Sequence, residues 1–265
     1  MVCASLVHRG EELLGQRQGL EEYVRRGTTM GIPLLHPWAN RLGGLAYSFA
    51  GVDVELDPGD VRLEEHGLPN HGLLAAVRGW EVVEADERRL VAGRDVRGLA
   101  GFPFDHRIEV AAELDAAALT LTTTLTAGPA PVPVCFGHHP YLQLPGVPRA
   151  EWEIELPVAE RLLVDGRKVP TGAREPAGDL DGPLGERTFD DGFTLAGDTF
   201  AVSGGDRRIE VAFERGYSVA QVYAPAELDV VCFEPMTAPA DALRHSPAAA
   251  APGEAFEARF SVRLR

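Results

Sequence analysis

Apolar and polar residues alternate with a period of two along much of the chain. At the C-terminal end Phe256, Ala258, Phe260, Val262 and Leu264 alternate with Glu257, Arg259, Ser261, Arg263 and Arg265. Trp152, Ile154 and Leu156 alternate in the same way with Glu151, Glu153 and Glu155. The pattern recurs at 106–114 (His106, Ile108, Val110, Ala112, Leu114), at 119–125 (Leu119, Leu121, Thr123, Leu125) and at Ile209, Val211 and Phe213. Successive side chains of a strand point to opposite faces, so this period predicts strands with one buried face each. One-sided strands at this density belong to antiparallel sheets, and turn signals such as PGD, LPG, GGD and RGY punctuate them. Helical periodicity is weak. It predicts short helices at 18–26 and at 237–244, the second with Thr237 in the cap position. The Pro/Gly-rich stretch 165–187 reads as a long surface loop. No glycine-rich phosphate loop opens a helix, which disfavours a doubly wound nucleotide-binding fold. The expected architecture is all-β: a large antiparallel β-sandwich with few short helices, residues 1–265 forming one domain.

Charge narrows the partners. The 265 residues carry 25 Lys+Arg against 40 Asp+Glu, a net charge of −15. Such a chain repels the phosphates of nucleic acid and anionic lipid headgroups, so neither is an expected partner. No stretch approaches the roughly 18 apolar residues of a membrane span. The N-terminus lacks a basic segment followed by a long apolar one, so a cytoplasmic location is expected. Lys168 is the single lysine, which excludes chemistry needing several. Cys3, Cys135 and Cys232 are far apart, odd in number and without CxxC spacing, against a disulfide framework or a structural zinc site. Cys135 and Cys232 sit in apolar runs and are expected as buried strand residues.

Four segments look unlike plain strands or turns. GIPLLHPWANRLGG (31–44) ends an apolar run in Asn40 and Arg41. Arg41 either reaches into a cleft as a fixed charged donor or pairs with a surface carboxylate. In LPNHGLLAAVRGW (68–80), Gly72 lets the backbone turn beside His71, which either lines a site or is a satisfied turn histidine. PVPVCFGHHPYLQLPG (131–146) places His138 and His139 next to each other after an apolar strand. On extended backbone they face opposite ways, so at most one faces a given cleft. In DVVCFEPMTAPADAL (229–243), Glu234 ends an apolar run, where a carboxylate is costly unless paired or raised in pKa, the signature of a general base. Asp190 and Asp191 add an acidic pair beside an aromatic residue. His, Glu, Asp and Arg with nearby aromatics suit a polyhydroxylated ligand such as a sugar.

These segments, in this order, resemble the aldose 1-epimerase (galactose-mutarotase-like) family, from about residue 9 to the C-terminus. The motifs that carry the resemblance are GIPLLHPWANRLGG, NHG followed by Gly79-Trp80, GHHPYLQL, FDDGF and FEPMTAPADAL. The resemblance implies a β-sandwich with a sugar cleft. It implies Arg41 as a substrate-binding arginine, His71 near the sugar ring oxygen, His139 as general acid, Asp190 (with Asp191 its rival in register) holding hydroxyls, and Glu234 as general base. His138, Tyr141, Trp38 and Asn40 would be further cleft residues. The YLQL element departs from the more usual aromatic-Asn pattern after the histidine.

The implied reaction is acid–base ring opening and reclosure of an aldohexose, with Glu234 ionised and His139 protonated, and without cofactor or metal. The partner is a small sugar, and the protein a monomer or homodimer. One rival is a hexose-6-phosphate epimerase. No basic cluster is evident around Arg41 and Arg78, and the acidic balance favours a neutral sugar. Others are a non-catalytic carbohydrate-binding protein, and a metal enzyme using His71, His139 and Glu234 as a facial triad.

Overall fold

A computed structural model describes residues 1–265 apart from Ser246. Two large sheets dominate it. An eight-stranded sheet has the order Val2–Cys3, Ile32–Leu35, Gly137–His138, Cys232–Met236, Val219–Ala224, Phe189–Leu195, Val158–Val164 and Pro170–Pro176. A nine-stranded sheet runs Gly182–Pro183, Glu153–Glu155, Thr199–Gly204, Arg207–Arg215, Ala255–Leu264, Ala118–Ala127, His106–Leu114, Arg89–Val96 and Glu81–Ala85. The pairings within both sheets are antiparallel. The alternating stretch at the C-terminal end forms Ala255–Leu264 and pairs with Ala118–Ala127 over nine positions.

The sheets pack face to face. Phe193, Val222 and Phe233 from the first join Phe200, Phe213 and Phe260 from the second in one buried cluster whose members run from Leu13 to Val262. The Phe200 and Phe233 rings lie 5.6 Å apart across the interface. Each fully buried side chain of this size stabilises the fold by roughly 1.5–3 kcal/mol through apolar surface removed from water. The opposite face of the eight-stranded sheet carries Asp190, Gln221 and Glu234.

Three local expectations fare differently. The helix expected at 18–26 forms as Gly19–Arg26, ended by Gly27 in the left-handed region. At 237–244 only a single 3₁₀ turn, Ala242–Arg244, is present. Asp241 precedes it at φ 61°, a backbone conformation incompatible with helix, and spends its carboxylate on the Gly43 amide. The stretch 165–187 is not one loop, because it contains the strands Pro170–Pro176 and Gly182–Pro183. Cys135 and Cys232 are buried as expected, though Cys135 lies outside the named strands. Among the described residues no helix is long and apolar enough to cross a membrane.

Candidate active site

Strand alternation builds the site floor. Phe233 and Val222 point into the core, so their neighbours Glu234 and Gln221 point out of the opposite face, directly across the ladder from each other. Asp190 lies opposite Tyr223 on the next strand pair. The adjacent histidines separate as the extended backbone requires. His138 turns inward to bond Thr123 Oγ1 at 2.9 Å, and His139 turns outward. Gly137 just before them is packed so closely that a Cβ would lie 2.8 Å from the Pro235 carbonyl oxygen. His139 stacks on Tyr141 with ring centroids 4.2 Å apart, and His71 meets His139 edge to face with ring centroids 5.7 Å apart.

Two loops close over this floor. Asn40 (φ 56°), His71 (φ 63°) and Gly72 (φ 71°) all occupy the left-handed region. The His71 amide donates to the Asn40 carbonyl at 3.0 Å, and the Leu73 and Leu74 amides donate to the His36 carbonyl. A Cβ at Gly72 would fall 2.3 Å from that carbonyl oxygen, so this junction requires glycine. Asn40 Oδ1 accepts from the Arg41 amide (2.8 Å) and guanidinium (3.0 Å), aiming Arg41 into the site. Arg41 then donates to Asp190 Oδ2 at 3.3 Å and to Glu64 Oε2 at 3.5 Å. Asp190 also accepts from Gln221 at 2.8 Å and from Lys168 Nζ. Burial opposes ionisation of Asp190, but Arg41 and Lys168 outweigh it and hold the carboxyl below its ordinary range.

Arg41, His71, His139, Asp190, Glu234, Asn40 and Tyr141 thus line one cavity of about 170 Å³. At its base His139 Nε2 lies 3.2 Å from Glu234 Oε1, both side chains almost wholly buried. Burial drives the Glu234 carboxyl well above its ordinary range, and the nearby Asp190 charge adds to this. Burial also drives the His139 imidazole well below its range, helped by His71 and Arg17. The raised carboxyl agrees with the sequence. The lowered imidazole runs against the imidazolium expected there, because burial penalises the charged form of both partners. His71 is also neutral, pushed down to about 3 by burial and by Arg62 and Arg41. Four buried polar atoms around the cavity, His71 Nδ1, His139 Nδ1, Asn70 Oδ1 and Glu234 Oε2, have no hydrogen-bond partner among the described residues. In a folded protein such atoms are normally satisfied, so their clustering marks a place for a polar ligand.

Two residues expected in the cleft lie elsewhere. Trp38 is 1% exposed within the main apolar cluster. His138 faces the core, for the alternation just described. Of the rival aspartates, Asp190 lines the cavity, whereas Asp191 lies 3.8 Å from Arg161 outside it. Asn70, which flanks His71 in the expected site-lining loop, also lines the cavity, and Arg17, Thr29, Arg62, Gln221 and Tyr223 complete the lining, unforeseen from the sequence. Gln221 was readable, as a polar residue within the otherwise largely apolar strand Val219–Ala224. Arg17 and Arg62 sit in polar loops, where an arginine gives no signal. They overturn the expectation that no basic cluster accompanies Arg41, while Arg78 is not among the lining residues.

Among the described residues, the His/Cys/Asp/Glu trio whose ligand atoms lie within 4.8 Å of one another is Glu64–Glu65–His66, not His71–His139–Glu234. Glu64 is already committed to Arg41 and to the His66 and Leu68 amides.

The same sandwich occurs in solved structures. A putative aldose 1-epimerase from Escherichia coli K12 superposes with a TM-score of 0.81 at 21% identity, over 100% of this chain and 92% of that one. A galactose mutarotase-like protein from Clostridium acetobutylicum gives 0.82 at 14% identity, covering 96% and 86%. Galactose 1-epimerase from Lactobacillus acidophilus NCFM gives 0.80 at 16% identity, covering 98% and 87%. None of the curated proteins compared matches the sequence. Residues 4–263 match the family model for aldose 1-epimerase. The chain belongs to the aldose 1-epimerase family.

Proposed function

We propose that the protein interconverts the α- and β-anomers of an aldose by acid–base ring opening. The observation that carries this reading is the His139–Glu234 pair, 3.2 Å apart at the base of a polar cavity, with one free polar atom on each partner. A sugar's anomeric hydroxyl donating to Glu234, and its ring oxygen accepting from His139, favour transfer of a proton from carboxyl to imidazole. Glu234 then takes the anomeric proton while His139 protonates the ring oxygen and the C1–O5 bond breaks. The aldehyde turns about C1–C2, and reclosure on the other face reverses both transfers. The proton count of the pair is the same before and after. Arg41, Asp190 and Asn40 hold hydroxyls, neutral His71 stands by the ring oxygen, and Tyr141 fixes the His139 ring by stacking. No step draws on a cofactor or metal, and activity is expected to survive chelation.

A non-catalytic sugar-binding protein would have no use for a buried acid–base pair in the cavity. The test is polarimetry on freshly dissolved α-anomers of glucose and galactose. Glu234→Gln preserves shape but removes the base, and a positioned base is worth about 10²–10⁴-fold in rate. Mutarotation by this variant at the rate of the unaltered protein would defeat the assignment.

A further inference from the structure

The cavity is charged in a way that a neutral sugar does not need. Arg41 is neutralised by Asp190 and Glu64. Arg17 and Arg62, which line the same cavity, have no carboxylate within ion-pair distance among the described residues. Arg17 donates only to neutral groups: the Thr29 carbonyl and hydroxyl, both at 3.3 Å, and the Tyr141 hydroxyl at 3.1 Å. Arg62 donates to the Gly27 carbonyl at 3.1 Å. A guanidinium carries five N–H donors, so both keep donors to offer.

Both arginines line the same cavity. Burial lowers the Arg62 pKa; Tyr141 works against this and the Arg17 charge with it. Arg17 itself sits at φ 46°, an outlying conformation for a bulky residue. Backbone strain of this kind persists where surrounding structure holds a side chain in a functional position. In a molecule of net charge −15, two like charges converge without internal counterions.

We infer that Arg17 and Arg62 form an oxyanion-binding subsite, and that the substrate is an aldose carrying a carboxylate or phosphate at C6. This rests on the epimerase reading for its placement. Arg17 lies against Tyr141, the ring on which His139 stacks, with its guanidinium carbon 5.3 Å from the ring centroid. If His139 serves the ring oxygen, the next ring atom is C5, which bears C6. A C6 anion lies across the ring from the anomeric carbon that Glu234 serves, and Arg17 and Arg62 are the cavity cations, without a carboxylate partner among the described residues, that can receive it. A neighbouring cavity of about 320 Å³ shares Arg62, Asn70 and His71 and is lined also by Arg25, Arg26 and Asp60, two further cations against one carboxylate, with room for a group as large as phosphate.

The experiment compares glucose and galactose with their uronates and 6-phosphates. Mutarotation gives kcat/KM, and calorimetry gives binding. The expected result is a preference for an anionic sugar over its neutral parent of about 100-fold at low salt, as two charge-assisted contacts would supply. The preference shrinks with added salt and collapses toward unity in the double variant Arg17→Gln/Arg62→Gln. Preference for the uronate identifies a carboxylate, and preference for the 6-phosphate a phosphate. Equal turnover of neutral and anionic sugars, or a preference that survives the double substitution, overturns the subsite and leaves the epimerase reading standing. Arginine-dependent binding of an anionic sugar with no mutarotation of any sugar does the reverse.

Discussion

At the scale of single residues, the decisive feature is a buried imidazole 3.2 Å from a buried carboxyl. His139 and Glu234 have pKa values displaced in opposite directions by the same cause, their burial. The rate–pH profile then has an unusual shape. Its acid limb falls where the pair gains a second proton, below the ordinary imidazole range. Its alkaline limb falls where the pair loses its only proton, above the ordinary carboxylate range. Polarimetry with the uncatalysed rate subtracted measures this. An acid limb centred on ordinary histidine ionisation would mean that the two groups titrate independently. Around Asp190 the contributions are unequal. Its Arg41 partner is mostly buried, whereas Lys168 is 40% exposed and its ion pair is screened by solvent. Lys168→Met should change kcat/KM by less than about 5-fold, but Asp190→Asn by about 100-fold, since it leaves Arg41 with a single, longer carboxylate contact. Glu234 was legible because a carboxylate among apolar strand residues demands a chemical reason. Arg17 and Arg62 were not, because loop arginines are abundant in this chain and only tertiary folding brings these two together.

At the scale of elements, the site depends on a loop that only glycine can close. Gly72 passes the His36 carbonyl so tightly that Gly72→Ala must shift the backbone. We expect a loss of about 2 kcal/mol or more, read from urea unfolding, together with lower activity because His71 is the preceding residue. A substitution that left both unchanged would mean that the loop relaxes freely. The strands with one buried face were legible because burial imposes a period of two on the sequence. Pro170–Pro176 was missed for the complementary reason: it is an edge strand with almost every residue exposed, so nothing dictates alternation. The helix expected from 237–244 failed because Asp241 is recruited to hold Gly43, a contact from a distant part of the chain.

At the scale of the whole molecule, acid should weaken the fold. His36, His71, His106, His138 and His139 all have lowered pKa values in the folded state. His138, pushed down to about 3 by burial, is the clearest case. Between that value and the ordinary histidine range the unfolded chain binds more protons, so stability present near neutrality is lost as pH falls. His138 alone accounts for roughly 2 kcal/mol between pH 7 and pH 5. Glu234, with its raised pKa, works in the opposite sense, but it is one group against five. Urea midpoints at the two pH values measure the balance, and an unchanged midpoint would contradict neutral buried histidines. One further property belongs to the molecule entire. Its single lysine is tied to the candidate site through one contact, its Nζ on Asp190. Reductive methylation with ¹³C-formaldehyde would therefore mark one ε-amine among these 265 residues without removing its charge. Its methyl resonance would act as a built-in spectroscopic reporter, shifting as each candidate sugar displaces the amine from the carboxylate, whether or not that sugar is turned over.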